Sequence, residues 1–136
     1  MTKRSIKARG QRVMSAQDLR AFLNSSDEDA VHIEVADHLR ARAKATIFWA
    51  HVPNGGLRNP LVGKKLKAMG TRAGFPDFFL LIDSRAHFLE LKTLDGTVSA
   101  AQHTVMAELA RAGGVCSVGR GIDHALSVLE SWGVFR

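Results

Sequence analysis

Two short apolar segments separated by polar residues constrain the fold of this chain more than any other feature. Residues 77–82 read DFFLLI and residues 87–92 read HFLELK, and both are too short and too rich in β-favouring side chains for helices. The DSRA sequence between them, residues 83–86, is typical of a turn. The pattern predicts a buried antiparallel hairpin.

Charged side chains interrupt the second of these strands. Because side chains alternate between faces, Glu90 and Lys92 share one face while Leu89 and Leu91 point into the core. If the hairpin loop holds an even number of residues, Asp77 pairs with an even-numbered partner and joins the charged face. Directly opposed residues lie ~5 Å apart, so the carboxylates of Asp77 and Glu90 can converge on one ion.

Two carboxylates and an ammonium group on one sheet face suit metal-assisted hydrolysis of a phosphodiester. Carboxylates hold Mg²⁺, and a lysine can position water and stabilise the anionic transition state. The alternative is a structural salt bridge between Lys92 and Asp77 or Glu90, because an Asp followed later by Glu-x-Lys is common by chance. These three residues alone leave both interpretations open.

The remainder of the chain alternates between helix and strand patterns, and its 136 residues suit one domain. Helices are predicted over residues 15–24, 26–44, 59–69, 99–112 and 123–132, and further strands over 46–52 and 115–118. Residues 1–15 lack apolar periodicity and are predicted to be a flexible basic arm. We therefore expect a single α/β domain over residues 16–136, with a small mixed sheet flanked by helices.

The charge distribution indicates a polyanionic partner. There are 19 Lys and Arg residues against 13 Asp and Glu, a net charge of +6, and the basic residues cluster in 1–20 and 54–72. Such clusters attract phosphates, although a solvated surface that keeps the protein in solution is the alternative. In the second cluster the candidate nucleic-acid contacts are Asn54, Arg58, Lys64, Lys65, Lys67 and Arg72.

Several other classes of protein are disfavoured. No apolar run approaches the ~18 residues of a transmembrane helix, so no membrane contact is expected. The single cysteine, Cys116, excludes an intrachain disulfide, fits the cytoplasm and is predicted to lie in the core. The six histidines include no pair with the spacing of a zinc site, and His51 is expected to support the site or to contact DNA. No phosphate-binding glycine loop is present, so no nucleotide cofactor is expected.

Further motifs surround the hairpin. The strings GTRAGFPD (70–77), ELKT (90–93) and DGTVSAAQ (95–102) resemble the VRR-NUC family of the PD-(D/E)xK nuclease superfamily. The strings PNGGLR (53–58) and LKAMG (66–70) are also similar to it, so the resemblance covers about residues 34–132. It implies the restriction-endonuclease-like fold.

The same resemblance implies a metal-dependent nuclease and assigns roles to residues of the hairpin. Asp77 and Glu90 would hold Mg²⁺ or Mn²⁺ together with the carbonyl oxygen of Leu91, and Lys92 would be the catalytic lysine.

Two helical residues also match positions of the family. Glu34 matches the acid of the first helix and is a further candidate metal ligand, the alternative being a solvated acid near His38. Gln102 matches a catalytic-site glutamine, while Ser99-x-x-Gln102 also fits a capping box. The two roles of Gln102 are compatible.

The implied activity is endonucleolytic cleavage of DNA. Similar stand-alone members are small viral or bacterial repair nucleases, some of which act as dimers on four-way (Holliday) junctions. We therefore expect DNA and a second copy of the chain as partners, a preference for branched DNA, and a role in repair, recombination or viral replication. The alternatives are a non-catalytic DNA-binding module on the same fold and a small basic RNA-binding protein. The low aromatic content, 7% with no tyrosine, disfavours the latter.

Overall fold

The computed structural model describes residues 15–17, 28–53 and 59–136. In chain order the described helices and strands are α1 (Glu28–Arg42), β1 (Phe48–His51), α2 (Pro60–Ala68), β2 (Phe78–Ile82), β3 (Arg85–Lys92), α3 (Ala100–Arg111), β4 (Val115–Arg120) and α4 (Gly121–Ser131). The predicted basic arm over 1–15 and most of the predicted helix over 15–24 lie outside the described residues, as do Asn54 and Arg58.

The four strands form one mixed sheet in the order β1-β2-β3-β4. The strand β2 is antiparallel to both β1 and β3, whereas β4 is parallel to β3. A parallel neighbour requires a long crossover, and α3 supplies it. The arrangement agrees with the predicted α/β class and its small mixed sheet.

A two-residue turn connects β2 to β3. Ile82 pairs with Arg85, and the intervening Asp83 and Ser84 have φ angles of 50° and 66°. Positive φ at both central residues is the geometry of a type I′ turn, whose twist matches the flanking strands. Pairing therefore resumes at Arg85, and β3 begins two residues before the predicted start at residue 87.

This turn fixes the register that the site requires. The loop contains an even number of residues, and Phe78 pairs with Leu89. One step further along the same register, Asp77 lies opposite Glu90. The conditional prediction that both acids share a face is therefore met.

The two faces of the sheet are covered by different helices. Buried residues of α1 and α4 pack on one face of the sheet, which is formed by the even-numbered side chains of β2 and the odd-numbered side chains of β3. The hydrophobic core on this face comprises Val31, Val35, Ala36, Leu39, Phe78, Leu80, Ile82, Leu89, Leu91, Ile122, Ala125, Leu129 and Val134. Helix α3 covers the other face, where its Gln102 contacts Glu90. Full burial of a Leu or Phe side chain contributes about 1.5–3 kcal/mol, so this one face supplies the main hydrophobic stabilisation.

The last strand extends two residues beyond its predicted end, and the last helix begins two residues before its predicted start. The strand was predicted to end at residue 118, but parallel pairing with β3 continues to Arg120. Gly119 is buried, and a Cβ there would lie 2.8 Å from the Cβ of Ala125. Glycine therefore permits α4 to pack closely against β4, a tertiary requirement that local propensity does not reveal.

We expect Ser84→Gly to stabilise the protein by about 0.5–1 kcal/mol, because glycine adopts positive φ without the steric cost that a Cβ imposes. Urea unfolding monitored by circular dichroism measures the change. Ser84→Ala retains the Cβ and serves as the control, with no gain expected. Equal stability of the glycine and wild-type proteins would contradict the strain assigned to this turn.

Candidate active site

Asp77 is held at the end of β2 by neighbours on both sides. Its Oδ2 atom accepts a hydrogen bond from the backbone N–H of Leu91 at 2.8 Å. Its backbone carbonyl accepts one from the N–H of Val52 at 2.7 Å. Pro76, buried directly before it, has no N–H to satisfy and fits the first position of a strand. These contacts hold the Asp77 carboxylate beside β3.

Glu90 is a carboxylate buried within the sheet, with an exposed fraction of only 2%. Its Oε2 atom accepts a 2.8 Å hydrogen bond from Gln102 Nε2 and lies 3.6 Å from Lys92 Nζ. Its Oε1 atom is buried and has no hydrogen-bond partner among the described residues. A buried oxygen without a partner is destabilising, so a group that binds this oxygen would relieve the cost.

Burial raises the pKa of Glu90 to about 8, and the neighbouring Asp77 carboxylate acts in the same direction. The Lys92 ammonium opposes the shift and does not cancel it. In the metal-free protein Glu90 therefore remains largely protonated near neutral pH. A strongly raised carboxyl pKa inside a cleft is typical of functional sites.

Gln102 forms the predicted capping box and also contacts Glu90. Its side-chain oxygen accepts from the N–H of Ser99, and the Ser99 hydroxyl accepts from the N–H of Gln102, so the predicted capping box is present. The amide nitrogen of the same side chain donates to Glu90. The start of α3 thereby fixes the orientation of the buried carboxylate.

A cavity of about 350 Å³, called here the Asp77 cavity, opens at this end of the sheet. It is lined by Glu28, Asp29, His32, His51, Val52, Pro53, Gly74, Phe75, Asp77, Glu90 and Gln102. Gly74 has a φ of +86°, and a Cβ at this position would lie 2.6 Å from the carbonyl carbon of Ala101. The segment before Asp77 therefore approaches α3 closely only because residue 74 is glycine.

Two histidines meet Asp77 on the α1 side of the cavity. Single ligand atoms of His32, His51 and Asp77 all lie within 4.8 Å of one another. Burial alone would lower the pKa of His32, but the contact with Asp77, together with Glu28 and Asp29, outweighs it and raises the pKa above 6.5. Spacing along the chain gave no sign of this cluster, since its members come from α1, the end of β1 and the start of β2.

Glu34 lies apart from the other candidate ligands. Its Oε2 atom is 3.2 Å from His38 Nε2, one helical turn away, and Glu34 is not among the residues lining the Asp77 cavity. The geometry matches the alternative stated for it, an acid beside His38. Glu28 and Asp29, at the start of the same helix, line the cavity instead.

The candidate nucleic-acid contacts that the structure describes are surface residues. Lys64, Lys65 and Lys67 are exposed on α2. Arg72 is also exposed, and its Nη2 atom donates to Glu108 at 2.8 Å, which lowers the pKa of Glu108. An exposed ion pair of this kind contributes little stability, so Arg72 can exchange this partner for a phosphate at small cost.

Cys116 is half-buried rather than fully enclosed in the core. Its Sγ donates to the Met106 carbonyl at 3.6 Å, and burial raises the pKa of its thiol. A raised thiol pKa keeps the group protonated and unreactive.

Comparison with known proteins identifies a similar solved structure. No protein-family profile matches the chain, and no curated protein sequence does. Among solved structures, a chain described as a "VRR_NUC domain protein" superposes with a TM-score of 0.65 and 26% sequence identity. The match covers 77% of the present chain and 86% of that chain.

The fold and the match support the restriction-endonuclease-like architecture that the motifs implied. They confirm the resemblance to the VRR-NUC family that the motifs indicated. No helix in the described part of the chain has the length and apolarity needed to cross a membrane.

Replacement of Glu90 by glutamine should stabilise the metal-free protein. The Glu90 pKa is higher in the folded protein, about 8, than the ordinary value of 4.5, so the protonated carboxyl favours folding below pH 4.5. That contribution is lost as the pH rises through about 8. We expect Glu90→Gln to remove this decline and to add on the order of 1–3 kcal/mol at the alkaline end.

Urea unfolding in EDTA across this pH window measures the effect. Glu130→Gln, which neutralises an exposed acid on α4, is the matched control and should change little. A Glu90→Gln protein that loses stability with rising pH as steeply as the wild type would contradict the assigned pKa.

Proposed function

We propose that the protein is a metal-dependent endonuclease that hydrolyses DNA phosphodiester bonds at the Asp77 cavity. The observation that supports this most is Glu90, a buried carboxylate with one oxygen fixed by Gln102 and the other without a partner among the described residues. A domain gains nothing in stability from such a group, so its presence points to a ligand.

The donor set suits a hard divalent cation. Asp77 and Glu90 supply carboxylate oxygens, and the Leu91 N–H that bonds to Asp77 places the Leu91 carbonyl on the same edge of β3, since a strand residue directs both groups to one side. Oxygen ligands of this kind fit Mg²⁺ or Mn²⁺. When bound, such a cation activates a water molecule and neutralises charge that develops on the phosphate.

The chain's own residues would then position the reacting groups. Lys92 is nearly buried, and its ammonium lies beside Glu90, where it can hold a water molecule and donate to the developing anion. Its contact with Glu90 is also the salt bridge that was the structural alternative. Gln102 prevents rotation of the Glu90 carboxylate and so acts as a positioning residue.

Substrate binding would rely on backbone phosphates. The lysines of α2 are exposed and precede the segment that leads into Asp77. Contacts to phosphates select shape rather than base sequence. We therefore propose a preference for branched DNA such as four-way junctions and, as the family resemblance implies, a homodimer, which sedimentation velocity can test.

Asp77→Asn, Glu90→Gln and Lys92→Ala should each reduce cleavage by about 10²–10³-fold or more, because each removes a cation ligand or the group that stabilises the anion. DNA binding should be nearly unchanged, and each variant should retain the wild-type fold. A cleavage assay on linear, flap and four-way DNA, with Mg²⁺, Mn²⁺ or EDTA, measures the effect.

Asp37→Asn and Lys44→Ala remove an exposed acid and an exposed lysine away from the cavity and should cut normally. Wild-type rates in any of the three site variants would remove that residue from the mechanism. A wild-type protein that binds DNA without cutting any substrate would favour the non-catalytic module, and preferential binding of RNA would favour the RNA-binding alternative.

Charge reversal of Lys64 and Lys65 should weaken DNA binding and flatten its salt dependence. The logarithm of affinity falls by about 0.9 per phosphate contact for each tenfold increase in salt, so each lost contact lowers the slope by roughly this amount. Fluorescence anisotropy at several salt concentrations measures the slope. Charge reversal of Lys44 and Arg111, both exposed, gives the same net charge as a control. Equal slopes for the two double variants would mean that α2 is solubilising surface only.

A further inference from the structure

A second set of metal-binding groups lies on the α1 side of the Asp77 cavity. It consists of the imidazoles of His32 and His51 and the carboxylate of Asp77, with one ligand atom from each within 4.8 Å of the other two. The three residues come from separate parts of the fold: His32 from α1, His51 from the end of β1, and Asp77 from the position directly before β2. Convergence of two imidazoles and a carboxylate from distant parts of a chain is the composition of many transition-metal sites.

His32 has a buried ring nitrogen without a hydrogen-bond partner among the described residues. Its Nε2 atom is buried, lies 3.4 Å from Asp77 Oδ2, and makes no hydrogen bond to any described residue. Asp77 Oδ2 already accepts from the Leu91 N–H, so a cation between the two atoms would give His32 Nε2 the partner that it lacks among the described residues.

Phe78 fixes the positions of the two imidazoles. Its ring is 1% exposed and lies 5.3 Å from the His51 ring and 6.2 Å from the His32 ring, measured between centroids. The two histidine rings are themselves 5.3 Å apart. A buried aromatic group behind both ligands limits their motion, and preorganisation of this kind favours binding.

The cluster is also accessible and lies in a favourable electrostatic field. His51 is exposed at the end of β1, so an ion from solvent can reach it. Glu28 and Asp29 line the same cavity and add negative charge near the cluster. Three protein ligands leave coordination positions for water.

We propose that His32, His51 and Asp77 bind a transition-metal cation of the Co²⁺ or Zn²⁺ type, at a position separate from the Asp77–Glu90 pair. Imidazole nitrogens favour these ions over Mg²⁺ and Ca²⁺, which prefer oxygen ligands. This goes beyond the proposed nuclease function, because binding at these three residues does not require phosphodiester cleavage. The two sites share only Asp77.

Titration of the full chain with Co²⁺ tests the proposal, because imidazole coordination gives the ion a distinct visible absorption. Loss of an outer-shell partner already lowers metal affinity by 10–100-fold, so His32→Gln and His51→Asn should each weaken Co²⁺ binding by about 100-fold or more. His38→Gln is the matched control: it removes an imidazole from the same helix that also contacts a carboxylate, Glu34, and should leave binding unchanged. Excess Zn²⁺ should displace Co²⁺, whereas excess Mg²⁺ should not.

Glu90→Gln separates the two sites. It removes a ligand of the proposed Mg²⁺ site only, and Co²⁺ binding should persist. If Glu90→Gln abolishes the Co²⁺ absorption while both histidine variants retain it, or if Mg²⁺ displaces the ion completely, the proposal is overturned.

A measurement on the unmodified protein covers the case in which a histidine variant does not fold. Substoichiometric Zn²⁺ should shift the NMR signals of the His32 and His51 ring nitrogens before those of His38 and His103, and equal shifts of all four would overturn the proposal. Cleavage with Mg²⁺ is recorded separately. Cleavage without histidine-dependent Co²⁺ binding contradicts only this inference, and the converse result contradicts only the nuclease function.

Discussion

The pairing of β2 with β3 is the constraint on which the rest of the structure depends. The two-residue turn at Asp83 and Ser84 sets a register in which Phe78 lies opposite Leu89. A slip of one residue would exchange the two faces of a strand, exposing its apolar side chains and burying its charges against α1. The hydrophobic core and the candidate site are therefore specified by the same hydrogen-bond register, and neither can form correctly without the other.

The candidate site reduces the stability of the domain that contains it. Glu90 lies between two fully buried leucines of β3, and its own side chain is almost completely enclosed. The contacts of Lys92 and Gln102 with Glu90 compensate for only part of the free-energy cost of desolvating this carboxylate. Burial of apolar side chains in the core on the α1 face offsets the remainder. Selection for folding alone would favour an apolar residue at this position. A buried carboxylate that lowers stability and lines a cavity therefore indicates a functional requirement.

Local sequence was enough to predict the parts of this fold that depend on local interactions. The hairpin, the capping box at Ser99 and the shared face of Glu90 and Lys92 follow from side-chain period and capping chemistry. The end of β4 did not follow, because parallel pairing with β3 overrides the local preference of Gly119 for a loop.

The histidine cluster lay beyond sequence reasoning for a related reason. His32 and His51 become neighbours only after α1 packs on the sheet and β1 pairs with β2, so no spacing along the chain encodes their contact. Glu34 was a candidate ligand that the structure places outside the cavity. Helical position alone could not distinguish the acid that faces His38 from Glu28, six residues earlier, which faces the cavity.

Asp77 connects the two sides of the sheet because it stands at the end of a strand rather than within one. A residue in the middle of β2 projects to a single face, as Leu80 does towards α1. The carboxylate of Asp77, directly before the strand, accepts from the backbone of Leu91 and also lies beside His32 of α1. Glu90 and Gln102 approach the same cavity from the α3 side. The Asp77 carboxylate is therefore the point at which groups from opposite faces of the sheet meet, and its position follows directly from where β2 begins.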